Sequence, residues 1–429
     1  MFEALQSRIA SIRAVYRVGR IAEVCPATLR VSGLSGSAAL GDRVLCGAGS
    51  GEVLRLSPDF VTVLPDRSTE GLSIGDPVTL LGPATIAPGD HWIGRIVDPD
   101  GAPLDGRPLL GGGCGRALRA SPPPAAQRKR LGERLATGQA VFDTLLPLVS
   151  GQRLGLFAGS GVGKSTLLGN LARGVQADVI VLALVGERGR ELRTYAEDVL
   201  GPEGLSRSVI VAATSDQSPL VRRRCALAAM AIAEHFRDGG AQVLFLCDSV
   251  TRFAEAHREV AVAGGEPASL RGWPPSLAHA IMSLAERSGP GVESAGDITA
   301  IFSVLVAGSD MDEPVADILR GVLDGHVVLD RRIAERGRFP AVDLLRSVSR
   351  SLPACATAAE NALIADARQL LGAWDRVELM VQSGLYAAGS DAQADRSIRL
   401  FHKLDAFLAE SSPDGPEAAF SRLAAILRG

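Results

Sequence analysis

Residues 158–165 read Ala-Gly-Ser-Gly-Val-Gly-Lys-Ser, and this stretch decides the fold. The apolar run RLGLFA (153–158) leads into it, and the helix-forming run LLGNLARGV (167–175) follows it. A strand that passes through a glycine-rich loop into a helix is the setting in which such a loop binds phosphate groups. The glycines allow close approach, and the backbone N–H groups with the positive helix terminus surround the phosphate oxygens.

Two side chains at the end of this loop have separate predicted roles. Lys164 can reach the β and γ phosphates of a nucleoside triphosphate, and the Ser165 hydroxyl can ligate Mg²⁺. Ala158 stands where the strict pattern has glycine, but the later glycines remain. The alternative interpretation is a glycine-rich turn without a ligand. The predicted nucleotide contacts are Gly159, Ser160, Gly161, Val162, Gly163, Lys164, Ser165 and Thr166.

Two acidic residues each follow an apolar run of strand length. Asp248 comes after QVLFLC (242–247), at the strand end where open α/β sheets bind ligands, and is predicted to support Mg²⁺. Its alternative role is a helix N-cap. Glu187 comes after VIVLALV and a glycine, and a carboxylate there can orient and deprotonate the attacking water. The alternative is a surface ion pair with Arg190 or Arg193.

Single arginines carry less information. Arg350, in the run SVSRS, could stabilise transition-state charge in its own chain or in a neighbouring subunit. On the residues alone a solvated side chain is the favoured interpretation. The run Arg222, Arg223 and Arg224 opens an apolar helical stretch and is interpreted as a solvated first turn with no functional role.

The hydrophobic pattern changes twice along the chain. Short apolar stretches between Gly, Pro, Asp and Ser turns predict a small all-β barrel or sandwich near the start. Strands then alternate with helices, which predicts a mostly parallel α/β sheet, and the last segment favours helices. We therefore predict a multidomain α/β protein: an amphipathic N-terminal helix with a β-barrel (1–85), a nucleotide-binding domain (86–350) and a helical C-terminal domain (351–429).

Composition limits the function classes. The formal net charge of −3 and the pI near 6.1 provide no general basic field, so we expect no nucleic-acid partner. The six cysteines contain no Cys-x-x-Cys pair, which is typical of reduced thiols in a cytosolic protein. No apolar run approaches the roughly 20 residues of a membrane-spanning helix, so we expect no integral membrane protein.

Five long motifs carry a resemblance to a known family. They are AGSGVGKST, ALVGERGREL, LFLCDSVTRFAEAHREV, GSDMDEPVADILRGVLDGHVVLDRR and PAVDLLRSVSR. Together they resemble the hexameric rotary ATPases, and within them the flagellum-specific and type III secretion export ATPases. The resemblance spans nearly the whole chain. It implies a small N-terminal β-barrel, a RecA-like P-loop domain and a helical C-terminal domain, with ATP or ADP and Mg²⁺ as ligands.

The resemblance also implies roles for individual residues. Glu187 would be the catalytic carboxylate, and Arg188 would lie beside the γ phosphate. Arg350 resembles the arginine finger that reaches the nucleotide of an adjacent subunit, which reverses the interpretation from the residues alone. Phe339 and Tyr386 resemble the aromatic residues that sandwich the adenine, although either could be plain core.

The implied function is ATP hydrolysis by a homohexameric ring at the cytoplasmic, inner-membrane base of a protein export apparatus. The implied partners are a stator-like regulator, a central stalk protein, the export gate and chaperone–substrate complexes. The alternatives are a catalytic subunit of a rotary proton-translocating ATPase, a ring RNA helicase and a non-catalytic nucleotide-binding subunit. The choice between a flagellar and a virulence or symbiosis system stays open.

Overall fold

The first six strands close into an antiparallel barrel. The computed structural model describes residues 15–47, 49–306 and 311–429. The helix predicted at residues 1–17 lies outside these residues except for its last three, and Arg17 already begins the first strand. The barrel strands are β1 (Arg17–Val24), β2 (Leu29–Ser32), β3 (Asp42–Cys46), β4 (Gly49–Leu56), β5 (Phe60–Pro65) and β6 (Pro77–Pro83).

The barrel follows from alternating side chains and from complete pairing of the strands. In β2, Leu29 and Val31 are buried while Arg30 is exposed, as the two-residue period of a strand requires. The strand order is β1-β2-β5-β4-β3-β6, and β1 also pairs with β6. Closure leaves no free sheet edge, so the structure is the barrel rather than the sandwich.

A nine-stranded sheet forms the central part of the molecule, in the order β17-β16-β10-β15-β13-β11-β12-β8, with β14 paired to β15. Its pairs are parallel except for those of β14 and β17. The short strands β7 (Thr85–Ile86) and β9 (Arg116–Ala117) pair separately. The sheet strands are β8 (Arg95–Val97), β10 (Arg153–Ala158), β11 (Val179–Glu187), β12 (Ser208–Thr214), β13 (Val243–Asp248), β14 (Gly289–Pro290), β15 (Asp297–Leu305), β16 (Gly325–Leu329) and β17 (Val342–Ser349).

Helices cover both faces of this sheet and make up most of the C-terminal part. Each face of the sheet has its own buried apolar cluster, as expected for parallel strands packed on both sides. Within the described residues, no helix has the length and apolarity needed to cross a bilayer. The helices are α1 (Ala140–Asp143), α2 (Lys164–Gly174), α3 (Gly189–Thr194), α4 (Gly201–Ser206), α5 (Pro219–Asp238), α6 (Val250–Ala263), α7 (Ser276–Glu286), α8 (Pro314–Val322), α9 (Arg331–Glu335), α10 (Ala358–Gln382), α11 (Ala392–Phe407) and α12 (Gly415–Arg428).

The arginines that begin α5 are not a solvated turn, so that prediction is wrong. Arg223 and Arg224 are buried. Arg223 donates to Glu52 of the barrel at 2.7 Å, and Arg224 pairs with Asp66 of the barrel at 2.5 Å. The local sequence cannot show this, because both acidic partners lie more than a hundred residues earlier in the chain.

Candidate active site

The phosphate loop (159–163) joins the carboxyl end of β10 to the first turn of α2. Gly161 and Gly163 have φ values of 76° and 84°, a conformation that side chains disfavour. Val162 between them is buried in the apolar cluster beneath the loop, whereas Ser165 is exposed. The loop is therefore anchored from below, and its open side carries the Ser165 hydroxyl and the N-terminal N–H groups of α2.

Lys164 and Asp248 form an ion pair above the ends of the parallel strands. The Lys164 Nζ and the Ser303 hydroxyl both donate to Oδ1 of Asp248, the latter at 2.7 Å. Asp248 is only 4% exposed. Two donors on one oxygen orient this carboxylate and hold its charge in a nearly buried position, which the helix N-cap alternative does not require.

Glu187 ends β11 beside this ion pair. Leu184 of β11 is paired with Asp248, so Glu187 lies three residues beyond that level on the adjacent strand. Burial, the charge of Asp248 and a hydrogen bond with Glu191 raise the pKa of Glu187 to about 7, against the opposing charge of Lys164. The carboxyl is thus poised to exchange a proton near neutral pH, as a general base requires.

Two polar residues of this region were not predicted from the sequence. Ser303 is fully buried, and a serine near the end of the largely apolar run DITAIFSVLV is a signal that could have revealed it. Tyr195 is 7% exposed, and its hydroxyl has no hydrogen-bond partner. Burial and the charge of Asp248 hold the pKa of Tyr195 well above its usual range. No local pattern distinguishes this tyrosine from a core residue.

Arg188 is placed next to Glu187 but points to a partner in its own helix. Its guanidinium pairs with Glu191 at 3.2 Å and is 69% exposed. Such a pair contributes little stability, so the guanidinium is available for a bound anion. Its predicted position beside a γ phosphate stays a prediction.

Phe339 lies against the phosphate loop. A Cβ atom built on Gly163 would be 3.0 Å from Cδ1 of the Phe339 ring, so the ring contacts the loop at its last glycine. Arg338 donates to the carbonyl oxygens of Pro340 and Val342 and holds this turn in place. The ring is 49% exposed, which leaves one face open for stacking on a base.

Tyr386 is held by its own segment, between α10 and α11. Its hydroxyl has two acceptors within reach of its one proton, the Asp395 carboxylate at 3.0 Å and the Asp391 carbonyl oxygen at 3.2 Å. In the described parts of the chain no ring contact joins Tyr386 to Phe339. The structure therefore brings Phe339 to the loop and leaves the role of Tyr386 as a prediction.

Arg350 and the phosphate loop lie at opposite ends of the strands. The loop follows the carboxyl end of β10, and Arg350 is level with the amino end. Arg350 follows β17, whose last residue Ser349 pairs with Gly325 at the start of β16, level with the start of β10. Its guanidinium donates to the carbonyl of Arg320 at 3.1 Å. The five residues from that level to Gly159 span about 16 Å at about 3.3 Å per residue. Arg350 is thus remote from the phosphate loop of its own chain.

The residues present fit a nucleotide with Mg²⁺. The positive Lys164 and the glycine conformations suit phosphate oxygens, and an Asp with a hydroxyl supplies the oxygen ligands that Mg²⁺ prefers. No cluster of three or more His, Cys, Asp or Glu suited to a metal occurs in the described residues.

Comparisons with known proteins agree with this geometry. A family profile described as the ATP synthase alpha/beta family, nucleotide-binding domain, matches residues 138–349. A second, described as the T3SS EscN ATPase C-terminal domain, matches residues 356–422. A flagellum-specific ATP synthase of Rhizobium meliloti is 46% identical over 386 residues, covering 89% of this chain and 82% of that protein.

Solved structures show the same similarity. The assembled ATPase EscN of the enteropathogenic E. coli type III secretion system superimposes with a TM-score of 0.89 at 36% identity, over 95% of this chain and 100% of that one. EscN in complex with its central stalk EscO gives a TM-score of 0.86 at 36% identity, again over 95% and 100%. The predicted barrel, P-loop domain and helical domain are confirmed as a fold class.

Proposed function

The chain belongs to the ATP synthase alpha/beta family, in the branch of the flagellum-specific and type III secretion ATPases, and from this we propose that it is the ring ATPase of a protein export apparatus. The observation that carries the proposal is the division of the site. The carboxyl ends of the parallel strands carry Lys164, Asp248 and Glu187. Arg350 lies at the opposite, amino ends of these strands. Hydrolysis is completed only when a neighbouring copy supplies its arginine.

Each residue at the loop edge has one role in hydrolysis. Lys164 exchanges its partner Asp248 for the β and γ phosphates of ATP. Ser165 and Asp248 would hold Mg²⁺, which would neutralise phosphate charge there. Once Lys164 has turned to the phosphates, Asp248 keeps the Ser303 hydroxyl as donor and remains oriented. Arg188 leaves its weak surface pair to face the γ phosphate.

Glu187 accepts the proton of the attacking water. Its pKa of about 7 leaves a substantial ionised fraction at neutral pH, and its position beyond Asp248 aims it at the space above the loop. Phe339, on the loop side of Gly163, stacks on the adenine. Arg350 of the adjacent copy stabilises charge that develops on the transferred phosphoryl group.

The proposal extends to the assembly and its location. A homohexamer gives every phosphate loop a neighbour whose Arg350 edge faces it. We assign it a central stalk protein as an axial partner, because EscN, which shares the fold, is solved with its stalk EscO. A stator-like regulator, the export gate and chaperone–substrate complexes complete the proposed partners, at the cytoplasmic face of the inner membrane.

A catalytic subunit of a rotary proton-translocating ATPase is less well supported. The profile that matches residues 356–422 is that of a type III secretion ATPase, and the Rhizobium meliloti relative is a flagellar protein. A ring RNA helicase has no observation in its favour, since the net charge is −3.

The test is steady-state ATP turnover per subunit against protein concentration, for the wild type and for Arg350→Ala. We expect turnover per subunit to rise as rings assemble, and Arg350→Ala to bind ATP yet lose about 10³-fold or more in kcat. Arg422→Ala is the matched control, because it removes an exposed arginine of the C-terminal helices, paired with Glu410. Concentration-independent turnover and an active Arg350→Ala would refute the shared site.

A further inference from the structure

A large cavity lies between the barrel and the central domain. It measures about 820 Å³ and is bounded by β4 of the barrel and by helices α5, α6 and α7. Its size is that of small-molecule sites, which span about 300–1,000 Å³. The residues of the phosphate loop, Glu187 and Asp248 are not part of its wall. The cavity is therefore separate from the nucleotide site.

One end of the cavity carries an excess positive charge. Arg119 and Arg223 both donate to the same oxygen of Glu52, at 2.6 Å and 2.7 Å. Arg223 is only 6% exposed, and its Nε–H has no hydrogen-bond partner. Two guanidinium groups share one carboxylate here, and a buried donor is left unsatisfied, which normally costs stability. An anionic oxygen at this end would balance the excess charge.

Three hydrogen-bonded side chains, His257, Ser276 and Glu266, form another part of the wall. The Ser276 hydroxyl donates to Glu266 at 2.7 Å, and His257 Nε2 lies 2.8 Å from the same hydroxyl. Because the serine proton is used by the carboxylate, Nε2 of His257 must carry the donated proton. Burial lowers the pKa of His257 to about 4, so the ring is neutral at physiological pH. Its Nδ1 is left as an acceptor and not as a second positive charge.

Most of the remaining wall is apolar. Its apolar side chains come from four elements: β4 of the barrel and the helices α5, α6 and α7. A body with rings or aliphatic carbon would lose water against this surface, which is the main source of affinity in such sites. The apolar wall residues are Val53, Leu227, Phe253, Val260 and Leu284.

We propose that this cavity is a binding site for a small organic anion with a flat apolar body, whose carboxylate or sulfonate group binds Arg223 and Arg119. At the end formed by Arg119, Arg223 and Glu52 the excess positive charge matches one anionic group, and the apolar wall matches the rings. A neutral apolar molecule would leave the Arg223 Nε–H unsatisfied. An inorganic anion would leave the apolar wall in contact with water.

The probe for the test is anilinonaphthalene sulfonate, an aromatic monoanion whose fluorescence rises in apolar sites. It is titrated into the full-length protein with saturating Mg-ADP, so that the nucleotide sites are occupied. We expect one probe per chain, and at least a roughly tenfold rise in Kd for Arg223→Met. Arg222→Met is the matched control, since Arg222 lies next to Arg223 in the chain but pairs with Glu259 outside the cavity, and the Kd of this variant should stay unchanged.

A second variant keeps the charges and fills the space. Ala280 lies in the wall on α7 and is half-buried, so Ala280→Phe should abolish probe binding without touching the ion pairs. Unchanged binding in both Ala280→Phe and Arg223→Met would overturn the proposal. So would failure of the probe to bind at saturating Mg-ADP, or loss of binding as rings assemble, which would make the cavity a contact between copies. Each outcome leaves ATP hydrolysis itself unaffected, so this proposal and the proposed function fail separately.

Discussion

At the scale of single residues, the proposed chemistry depends on a small number of charged groups in a nearly buried site. Asp248 has Lys164 and Ser303 on one oxygen, and its charge acts on Glu187 across the strand ends. Removing water strengthens such interactions, because the local dielectric falls. As a result the pKa of Glu187 is raised to about 7. Phe339 contacts the phosphate loop of the same site at Gly163.

The first prediction concerns Glu187. A protonated carboxyl cannot accept a proton from water, so kcat/KM for ATP should fall as pH drops below about 7 and level off above it. Glu187→Gln should lower kcat by about 10²–10⁴-fold while ATP still binds. Glu197→Gln, at an exposed acid paired with Arg193, is the control. A Glu187→Gln variant with wild-type turnover would remove Glu187 from the mechanism.

The second prediction concerns the adenine. Stacking of a base on an aromatic ring contributes about 1–3 kcal/mol, so Phe339→Ala should raise the Kd for ATP about five- to a hundredfold. Phe339→Trp, which keeps an aromatic face, should bind ATP nearly as well as the wild type. Tyr386→Ala tests the other predicted aromatic: a similar rise in Kd supports the sandwich, and an unchanged Kd assigns Tyr386 to its own loop. Fluorescent nucleotide titration measures all three variants.

At the scale of elements, helix α5 links the parts of the chain through buried arginine pairs. Arg223 connects it to the barrel through Glu52. Near its other end Glu234 binds Arg287, just past α7, through two hydrogen bonds of 2.9 Å and 2.6 Å. Both side chains of that pair are almost fully buried. Buried pairs of this kind need both partners, because a single buried charge is costly.

The third prediction follows for this pair. Glu234→Gln leaves the Arg287 charge buried without its counter-ion and should lower the free energy of unfolding by about 3–5 kcal/mol. Glu335→Gln, at an exposed pair with Arg331, should cost at most about 1 kcal/mol. Urea unfolding followed by far-UV circular dichroism gives both values. Equal effects of the two substitutions would contradict the buried-pair argument.

At the scale of the whole molecule, the two halves of the proposed site lie at opposite ends of the strands of one sheet. Strand β17 lies two strands away from β10, and Arg350 after it is level with the start of β10, while the loop lies beyond the end of β10. A rigid sheet cannot bring these two groups together in one chain. In the proposed mechanism hydrolysis therefore depends on contact between copies, and nucleotide in one site can bias its neighbour.

The fourth prediction is complementation between two inactive variants. The Arg350→Ala variant keeps an intact phosphate loop and Glu187. The Glu187→Gln variant keeps an intact Arg350. When the two are mixed in equal amounts before assembly, about a quarter of the contacts between copies should pair an intact loop and Glu187 with an intact Arg350. ATP turnover should therefore recover to about that fraction of wild type. A mixture that stays inactive, while sizing shows mixed rings, would place both groups in one subunit.

The phosphate loop, Asp248 and Glu187 were predictable from the sequence, because each is a local signal: a strand, then a glycine-rich loop or an acid at its end. The order of barrel, sheet and helices followed from hydrophobic period in the same way. Neither Ser303 beside Asp248 nor the burial of Arg223 is local, since each depends on which distant strands become neighbours. Strand order and direction alone place Arg350 away from its own loop. Pairing between segments far apart in the chain therefore decides what local patterns leave open.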